Sequence, residues 1–140
     1  MKRKNLPALF LVSGILFFFL SMPARAQLQV QAPGTDYTDR TSYPVFGEND
    51  PVFVFCASEN GKEAVLRAVT TLNGPKTWLW EKYNPQTGVF DFFLTENNSN
   101  AQSEISQLES GCYRIKLTSG RTVLVYRAWV FNDWNKAEAA

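Results

Sequence analysis

The chain has 140 residues, and its first 26 hold four of the fourteen basic residues but none of the thirteen acidic ones. The remaining 114 residues therefore carry a net charge of −3, which gives them no electrostatic reason to bind nucleic acid or an anionic membrane. There is no histidine and there are two cysteines, which excludes Ser-His-Asp and Cys-His catalysis, His-ligated zinc and a four-thiolate metal site within one chain. We expect no metal and no cofactor.

The N-terminal segment has the pattern of a cleaved secretory signal. Lys2-Arg3-Lys4 is a basic start, an apolar stretch runs from Leu6 to Leu20, and Ala24-Arg25-Ala26 offers small residues at the −3 and −1 positions. The apolar stretch is short of the ~20 residues that a membrane-spanning helix needs. We predict cleavage between Ala26 and Gln27, export through the Sec pathway, and a mature chain that is secreted or at the cell surface without a membrane contact.

Export determines how the two cysteines are interpreted. Cys56 and Cys112 both fall in the mature chain, where an oxidising compartment favours pairing of an even number of cysteines. A bridge between them encloses about 56 residues and stabilises the fold by roughly 4 kcal/mol on the chain-entropy model. We predict this disulfide, with two buried free thiols as the alternative.

The 114 residues after the predicted signal are enough for one domain with a hydrophobic core, and their pattern favours an all-β sandwich. Short apolar segments alternate with turn signals, and no segment keeps helical spacing. Residues 27–50 are polar and rich in turn formers, so we predict a lead-in arm with at most one short edge strand. Residues 51–134 form the predicted sandwich, and residues 135–140 form a tail or the start of a linker. The predicted sandwich has seven strands, at residues 51–56, 64–72, 77–83, 89–94, 103–108, 112–117 and 122–131.

Period-two alternation predicts which side chains share a face of each strand. In the segment 112–117 three apolar residues alternate with charged ones, and the last strand alternates over its whole length. The predicted faces are Trp78 with Trp80, Tyr113 with Ile115 and Leu117 facing inward, and Val123 with Val125, Arg127 and Trp129. In the segment 64–72 the phase stays open, because both faces carry apolar residues.

The segment Ser103-x-Ile105-x-x-Leu108-x-x-Gly111-x-Tyr113-x-Ile115-x-Leu117 is similar to a recurring stretch of PKD-like and adhesin-repeat domains. These domains recur in large surface proteins of gliding and gut Bacteroidetes. Gly74-Pro75 leading into Trp78-x-Trp80 resembles another strand of the same repeats, and the segment from Tyr126 to Phe131 resembles a variant that opens long secreted proteins. The resemblance covers residues 36–134. The resemblance implies an immunoglobulin-like β-sandwich of about seven strands. Domains of this kind mostly serve as spacers and adhesive units.

The resemblance also implies where the disulfide lies. In a sandwich of this topology the end of the first strand and the start of the sixth lie at the same pole. Cys56 ends the predicted first strand, and Cys112 starts its own strand out of phase with the inward-facing Tyr113. The resemblance therefore implies a peripheral bridge rather than one through the centre of the core.

Four tryptophans suggest carbohydrate binding, because flat indole rings stack on sugar rings. Trp78 and Trp80 either form a platform at the surface or fill the core between the sheets. We favour the core for Trp80 and leave both alternatives open for Trp78. Trp129 and Trp134 lie at or beyond the end of the last strand, where they cap the core or contact a partner. The candidate ligand or partner contacts are thus Trp78, Trp129 and Trp134.

The acidic residues allow two weaker alternatives. Glu81 and Asp91 lie on adjacent predicted strands and would pair as in a two-carboxylate glycosidase. A sandwich of this size has little room for a substrate cleft, so we expect no catalytic residue and no enzymatic activity. An acidic cluster near the start of the mature chain matches no known calcium-loop spacing, and we expect it to be solvated. It comprises Asp36, Asp39, Glu48 and Asp50.

These observations together predict a non-catalytic extracellular immunoglobulin-like module of a secreted or cell-surface bacterial protein, which serves adhesion or spacing. The alternative is a small stand-alone secreted protein that binds carbohydrate or protein through exposed tryptophans. The expected partners are a glycan or another extracellular protein domain, and nucleic acid is not among them.

Overall fold

The computed structural model describes residues 27–35, 37–42, 49–56 and 64–134, and of residues 37, 39–42, 49, 56 and 132–134 the backbone alone. The predicted signal peptide with Ala26, and the predicted tail 135–140, lie outside the described residues. Within them the chain is all-β and forms nine strands without a helix. These strands are β1 (Leu28–Gln31), β2 (Tyr37–Ser42), β3 (Asn49–Cys56), β4 (Ala64–Thr70), β5 (Lys76–Asn84), β6 (Val89–Asn98), β7 (Gln102–Leu108), β8 (Gly111–Ser119) and β9 (Thr122–Trp134).

The strands form two sheets, an arrangement compatible with a β-sandwich. The smaller sheet has the order β1-β4-β7 and the larger one the order β2-β3-β9-β8-β5-β6. Neighbouring strands are antiparallel except β3 and β9, which pair in parallel. Parallel pairing demands a long connection, and here the whole of β4 to β8 lies between the two strands.

One hydrophobic core lies between the two sheets, because alternate side chains of each strand point the same way. Burying a large apolar side chain contributes about 1.5–3 kcal/mol, so this interior is the main source of stability. The small sheet supplies Val30, Ala64, Leu66, Ala68, Ile105 and Leu108, and the large sheet supplies Phe53, Phe55, Trp78, Trp80, Tyr113, Ile115, Leu117, Ala128 and Val130. The predicted faces of β5 and β8 are confirmed.

Each of the seven predicted strands has a counterpart, and two regions differ from expectation. The residues expected to form a lead-in arm instead form β1, which pairs with β4, and β2, which pairs with β3. Val30 of β1 is 8% exposed and belongs to the core. The strand β6 continues past Leu94 to Asn98, since its polar second half keeps its backbone pairing with β5.

The crossover from β6 to β7 carries the chain from the large sheet to the small one and is held by polar contacts. Lys76 is only 4% exposed, and its ammonium donates to the carbonyl oxygens of Ser99 and Asn100 at 3.2 and 3.0 Å. The Oδ1 atom of Asn98 accepts a hydrogen bond from the Asn100 amide at 3.0 Å. A buried cation loses hydration, and these carbonyl oxygens replace it.

The large sheet carries a row of charged residues on the face that points away from the core. Glu81 of β5 lies opposite Arg114 of β8, and Arg114 lies opposite Arg127 of β9. The Arg114 Nε atom is 2.7 Å from a Glu81 carboxylate oxygen, and the Arg127 Nε atom is 3.4 Å from a carboxylate oxygen of Asp50 in β3. Two arginines directly across from each other repel. Here each arginine also binds an acid on its other side. We call the four side chains the outer row: Glu81, Arg114, Arg127 and Asp50.

Candidate functional site

The two tryptophans of β5 are part of the core. Trp78 and Trp80 are 0% and 1% exposed, which confirms the core position expected for Trp80. Their indole N–H groups donate to Asn98 Oδ1 at 3.2 Å and to Ser103 Oγ at 2.9 Å. The Ser103 hydroxyl in turn donates to the carboxylate of Glu96. Trp78 is therefore not available to a ligand at the surface, and its interpretation as a ligand contact is wrong.

The other two candidate tryptophans lie on β9. Trp129 belongs to the outward face of the large sheet with Val123, Val125 and Arg127, as the alternation predicts, and it is partly buried opposite Cys112. The side chain of Trp134 lies outside the described residues, and its role as a contact stays a prediction. The tryptophans therefore do not form one platform on a shared face within the described part of the chain.

The predicted disulfide does not form. Cys112 is a buried free thiol, and its strand β8 is separated from β3 by β9. Cys112 lies opposite Trp129, and Trp129 lies opposite Val52, four residues before Cys56. Two strand spacings and four residues of rise place the two Cα atoms on the order of 16 Å apart, whereas a bridge requires less than about 7 Å. The peripheral bridge is wrong because β3 and β8 are not neighbours.

The Cys112 thiol is also protected from ionisation. Burial raises its pKa to about 12, and the negative charge of Asp50 adds to the rise, while Arg127 and Arg114 oppose it. Thiolate is the reactive form of cysteine. Cys112 is therefore a packing residue of the outward face and not a nucleophile at neutral pH.

The hypothetical carboxylate pair is not assembled. Glu81 lies opposite Phe92 and binds Arg114 on the outward face, whereas Asp91 lies opposite Lys82 on the other side of the strand pair. The Oδ2 atom of Asp91 accepts a hydrogen bond from the Asn84 side-chain amide at 2.9 Å. Since successive side chains of a strand point to opposite faces, the two carboxyl groups cannot flank one substrate bond.

The acidic cluster suggested near the start of the mature chain is described at one position only. Asp50 is 4% exposed and pairs with Arg127, while the side chains of Asp36, Asp39 and Glu48 lie outside the described residues. No group of metal-ligating side chains occurs within the part of the chain that the structure describes.

The strongest surface feature is an apolar group of residues on the edge strand β6. Among the described residues the exposed large hydrophobic side chains are Val89, Phe92, Phe93, Val123, Val125 and Phe131. The first three lie within five positions of β6, and Phe92 is the most exposed of all at 71%. We call Val89, Asp91, Phe92 and Phe93 the β6 surface. The sequence contains the signal for it, because Val-Phe-Asp-Phe-Phe-Leu places apolar residues on both faces and a half-buried strand needs them on one.

The hairpin that joins β5 to the β6 surface is held by several hydrogen bonds. Asn84 builds the turn: its Oδ1 atom accepts hydrogen bonds from the amides of Gln86 and Thr87 at 3.0 and 3.4 Å. Gly88, at φ 74°, donates its amide to the Asn84 carbonyl at 2.8 Å. Only a residue without a side chain adopts this left-handed conformation at no cost, so Gly88 ends the turn immediately before Val89, where β6 begins.

Ring contacts hold the residues of β6 on both faces of the strand. The rings of Tyr83 and Phe90 are 5.3 Å apart, and the Arg114 guanidinium lies 4.0 Å from the centre of the Phe90 ring. On the other side Phe93 meets Tyr113 edge to face at 5.7 Å. Contacts of this kind contribute about 0.5–1.5 kcal/mol each, and they leave Phe92 exposed while its neighbours are fixed.

An open crevice of about 420 Å³ lies beside the β6 surface. Its walls are the aromatic rings of Tyr83, Phe92 and Phe93 together with the polar groups of Asn84 and Asp91. Aromatic walls with a few polar groups are typical of binding sites. The crevice is shallow and lies at the end of a hairpin, which suits contact with an extended chain better than enclosure of a small molecule.

Comparison of the sequence with protein-family models and with curated proteins finds no match. The resemblance to PKD-like and adhesin-repeat domains therefore stays a prediction. Within the described residues, no helix has the length and apolar character to cross a membrane.

Proposed function

We propose that the chain is a non-catalytic extracellular module of a secreted or cell-surface bacterial protein that serves adhesion or spacing. The signal-like segment 1–26 supports export, and the two-sheet architecture is compatible with the immunoglobulin-like sandwich that the PKD-like resemblance implies. The observation that carries the proposal is the β6 surface. Three large apolar side chains are exposed on one edge strand, Phe92 on one face and Val89 and Phe93 on the other. Apolar side chains exposed beside an unpaired sheet edge indicate a contact surface.

The charged residues of the described chain also favour a structural or binding role over catalysis. Glu81, Asp50, Glu104 and Glu109 are each engaged by an arginine or a lysine within 3.4 Å. The two residues with strongly raised pKa values are Cys112 and Tyr113, and burial is the first cause in both. Acids in ion pairs and buried titratable side chains stabilise a fold, and this favours a structural role for these residues.

Retention on cells tests the proposal. The full chain, produced in a bacterial host with a Sec pathway and collected after export, is labelled and incubated with intact cells of the bacterium that encodes it. We expect the wild-type protein to be retained and Phe92→Ser to lower retention about tenfold, the loss typical of one well-packed aromatic contact. Val125→Ser is the matched control, since Val125 is exposed on a different strand. Absence of retention, or equal loss in both variants, would contradict the adhesive role.

The same experiment distinguishes the alternative of a stand-alone carbohydrate-binding protein. Periodate destroys sugar rings on the cells and would abolish retention by a glycan-binding protein, whereas protease treatment would abolish retention by a protein-binding one. An antibody against residues 27–140 reports the size of the native product. A band below 15.9 kDa identifies a small secreted protein, and a much larger band identifies a module of a longer one.

A further inference from the structure

Among the residues that the structure describes, the first half of β6 is an open sheet edge. β6 is the last strand of the large sheet and has β5 as its neighbour on one side. An edge strand presents a row of backbone N–H and C=O groups to solvent and is a template for another strand. Val89, Phe92 and Phe93 are 54%, 71% and 39% exposed along this edge. Backbone groups and apolar side chains are thus available together on the same segment.

The other described edges are less suited to pairing. β7, the edge of the small sheet, has a register shift against β4, and its Gln107 is in the left-handed region at φ 56°. Such a bulge twists an edge away from a partner. β1 has only four residues. The sequence of β2, Tyr-Thr-Asp-Arg-Thr-Ser, is polar. In β6 a register shift comes at Phe93, so the regular open segment is Val89–Phe92.

The charges of β6 indicate the chemistry of the missing partner. Six acidic side chains are described within the chain, and four of them pair with an arginine or a lysine. The other two are Asp91 and Glu96, and both lie on β6. Lys82 lies opposite Asp91, but its ammonium binds Glu109 at 3.1 Å. Asp91 is therefore an exposed carboxylate whose hydrogen-bond partner is the neutral amide of Asn84.

A second copy of the chain is a poor occupant of this edge. β6 has the sequence VFDFFLTENN and contains no basic residue. Pairing of two Val89–Phe92 segments brings the two Asp91 carboxylates together with no cation to compensate them, and like charges across a strand pair are destabilising. A strand that carries lysine or arginine removes this cost and supplies the counter-charge that Asp91 lacks.

We propose that Val89–Phe92 binds an extended basic peptide segment by strand addition, in which the peptide becomes a seventh strand of the large sheet. This inference rests on the proposed binding role of the β6 surface. Because side chains alternate, the peptide residues beside Asp91 are lysine or arginine, and those beside Phe90 and Phe92 are apolar. Main-chain hydrogen bonds supply affinity in this mode of recognition, and the alternating side chains supply specificity.

A synthetic peptide of eight residues with alternating valine and lysine is the probe. Its binding to the full chain is measured by fluorescence anisotropy, beside a peptide of alternating valine and glutamate and a valine–lysine peptide N-methylated at every residue. We expect the first peptide to bind at least about tenfold more tightly than the other two, because one has the wrong charge and the other lacks backbone donors. Equal binding of the N-methylated peptide, or of the glutamate peptide, would overturn strand addition by a basic segment.

Variants of the chain locate the site. Asp91→Lys reverses the preference toward the glutamate peptide, and Phe92→Ser weakens binding of the lysine peptide, because Phe92 lies beside its valines. Val125→Ser is the control, since Val125 is a 50% exposed apolar residue of a different strand. An unchanged preference in Asp91→Lys, or equal loss in both serine variants, places the peptide elsewhere and overturns the proposal. Retention on cells without peptide binding would leave the adhesive role intact, whereas peptide binding without retention would contradict that role alone.

Discussion

At the scale of a single residue, Ser103 connects a tryptophan of the core to the edge strand β6. Its hydroxyl accepts from the Trp80 indole and donates to the Glu96 carboxylate, and Ser103 is 4% exposed. We expect Ser103→Ala to lower the free energy of unfolding by about 1–3 kcal/mol, because both partners lose a hydrogen bond in a site shielded from water. Urea denaturation followed by tryptophan fluorescence measures this difference.

A second serine of the same strand controls for the loss of a hydroxyl group. Ser106 is exposed on β7, and we expect Ser106→Ala to change the free energy of unfolding by less than about 0.5 kcal/mol. Equal effects of the two substitutions would show that the contact with Trp80 does not stabilise the fold.

The Cys112 thiol makes stability depend on alkaline pH. Its pKa rises from 9.0 to about 12 on folding, so the folded chain holds this proton more tightly than the unfolded chain. The stabilisation is present below pH 9 and is lost as the pH rises from 9 to 12. We expect the wild-type protein to lose more stability than Cys112→Ala between pH 8 and pH 11, as measured by urea denaturation at each pH. Parallel pH profiles would contradict this.

Thiol counting gives an independent readout of the same residue. Since Cys112 forms no bridge, the chain denatured without reductant should present both of its cysteines to a thiol reagent. Under native conditions Cys112 should react only as fast as the fold opens. A chain that shows thiols only after reduction would contradict the strand order between β3 and β8.

Tryptophan placement shows what a residue pattern can and cannot predict. Alternation correctly places Trp78 and Trp80 on one face, but it does not say whether that face meets the other sheet or solvent. The deciding partners are Asn98 and Ser103, which lie on other strands. Local spacing contains no information about them, so the sequence alone leaves both the core position and the surface position open for Trp78.

The outer row makes a prediction at the scale of the strand. Glu81 compensates Arg114, which faces Arg127 directly across β8 and β9. We expect Glu81→Gln to lower the free energy of unfolding by about 1–3 kcal/mol, since Arg114 is then left beside a like charge in a half-buried position. Thermal and urea denaturation at low salt measure the loss.

The exposed pair Arg67–Glu104 is the control for this effect. Its side chains are 36% and 42% exposed, against 24% and 12% for Arg114 and Glu81. A surface pair of this kind contributes less than about 1 kcal/mol, so Glu104→Gln should have the smaller effect. If the two substitutions cost the same, the outer row does not act as a unit.

Strands are predicted well where an apolar alternation marks them and poorly where backbone pairing alone maintains them. β8 follows its alternation over Tyr113, Ile115 and Leu117, and all three are buried as expected. The second half of β6 is polar and lies beyond the predicted strand 89–94, yet it pairs with β5 through Asn98. Both edge strands β1 and β2 fall in the same category, because an edge needs fewer apolar residues than a central strand.

At the scale of the whole molecule, composition and turn spacing are sufficient to predict an all-β chain with two sheets. They do not predict strand order, which depends on pairings between distant segments. The disulfide prediction is wrong for this reason: the spacing of Cys56 and Cys112 permits a bridge, and the insertion of β9 between their strands forbids it. The β6 surface was also missed, since only the sheet order shows that β6 is an edge.

The central position of β9 has a consequence for the time at which the fold is completed. β9 lies between β3 and β8, so without it the large sheet would fall into two pieces, β2–β3 and β8–β5–β6. Val52 meets Trp129, 77 residues later in the chain, and a ribosome needs roughly 4–15 s for that length. During this interval Phe53 and Phe55 have no sheet partner from β9. The large sheet is therefore completed only after β9 has been synthesised, and until then its two pieces cannot pair with each other.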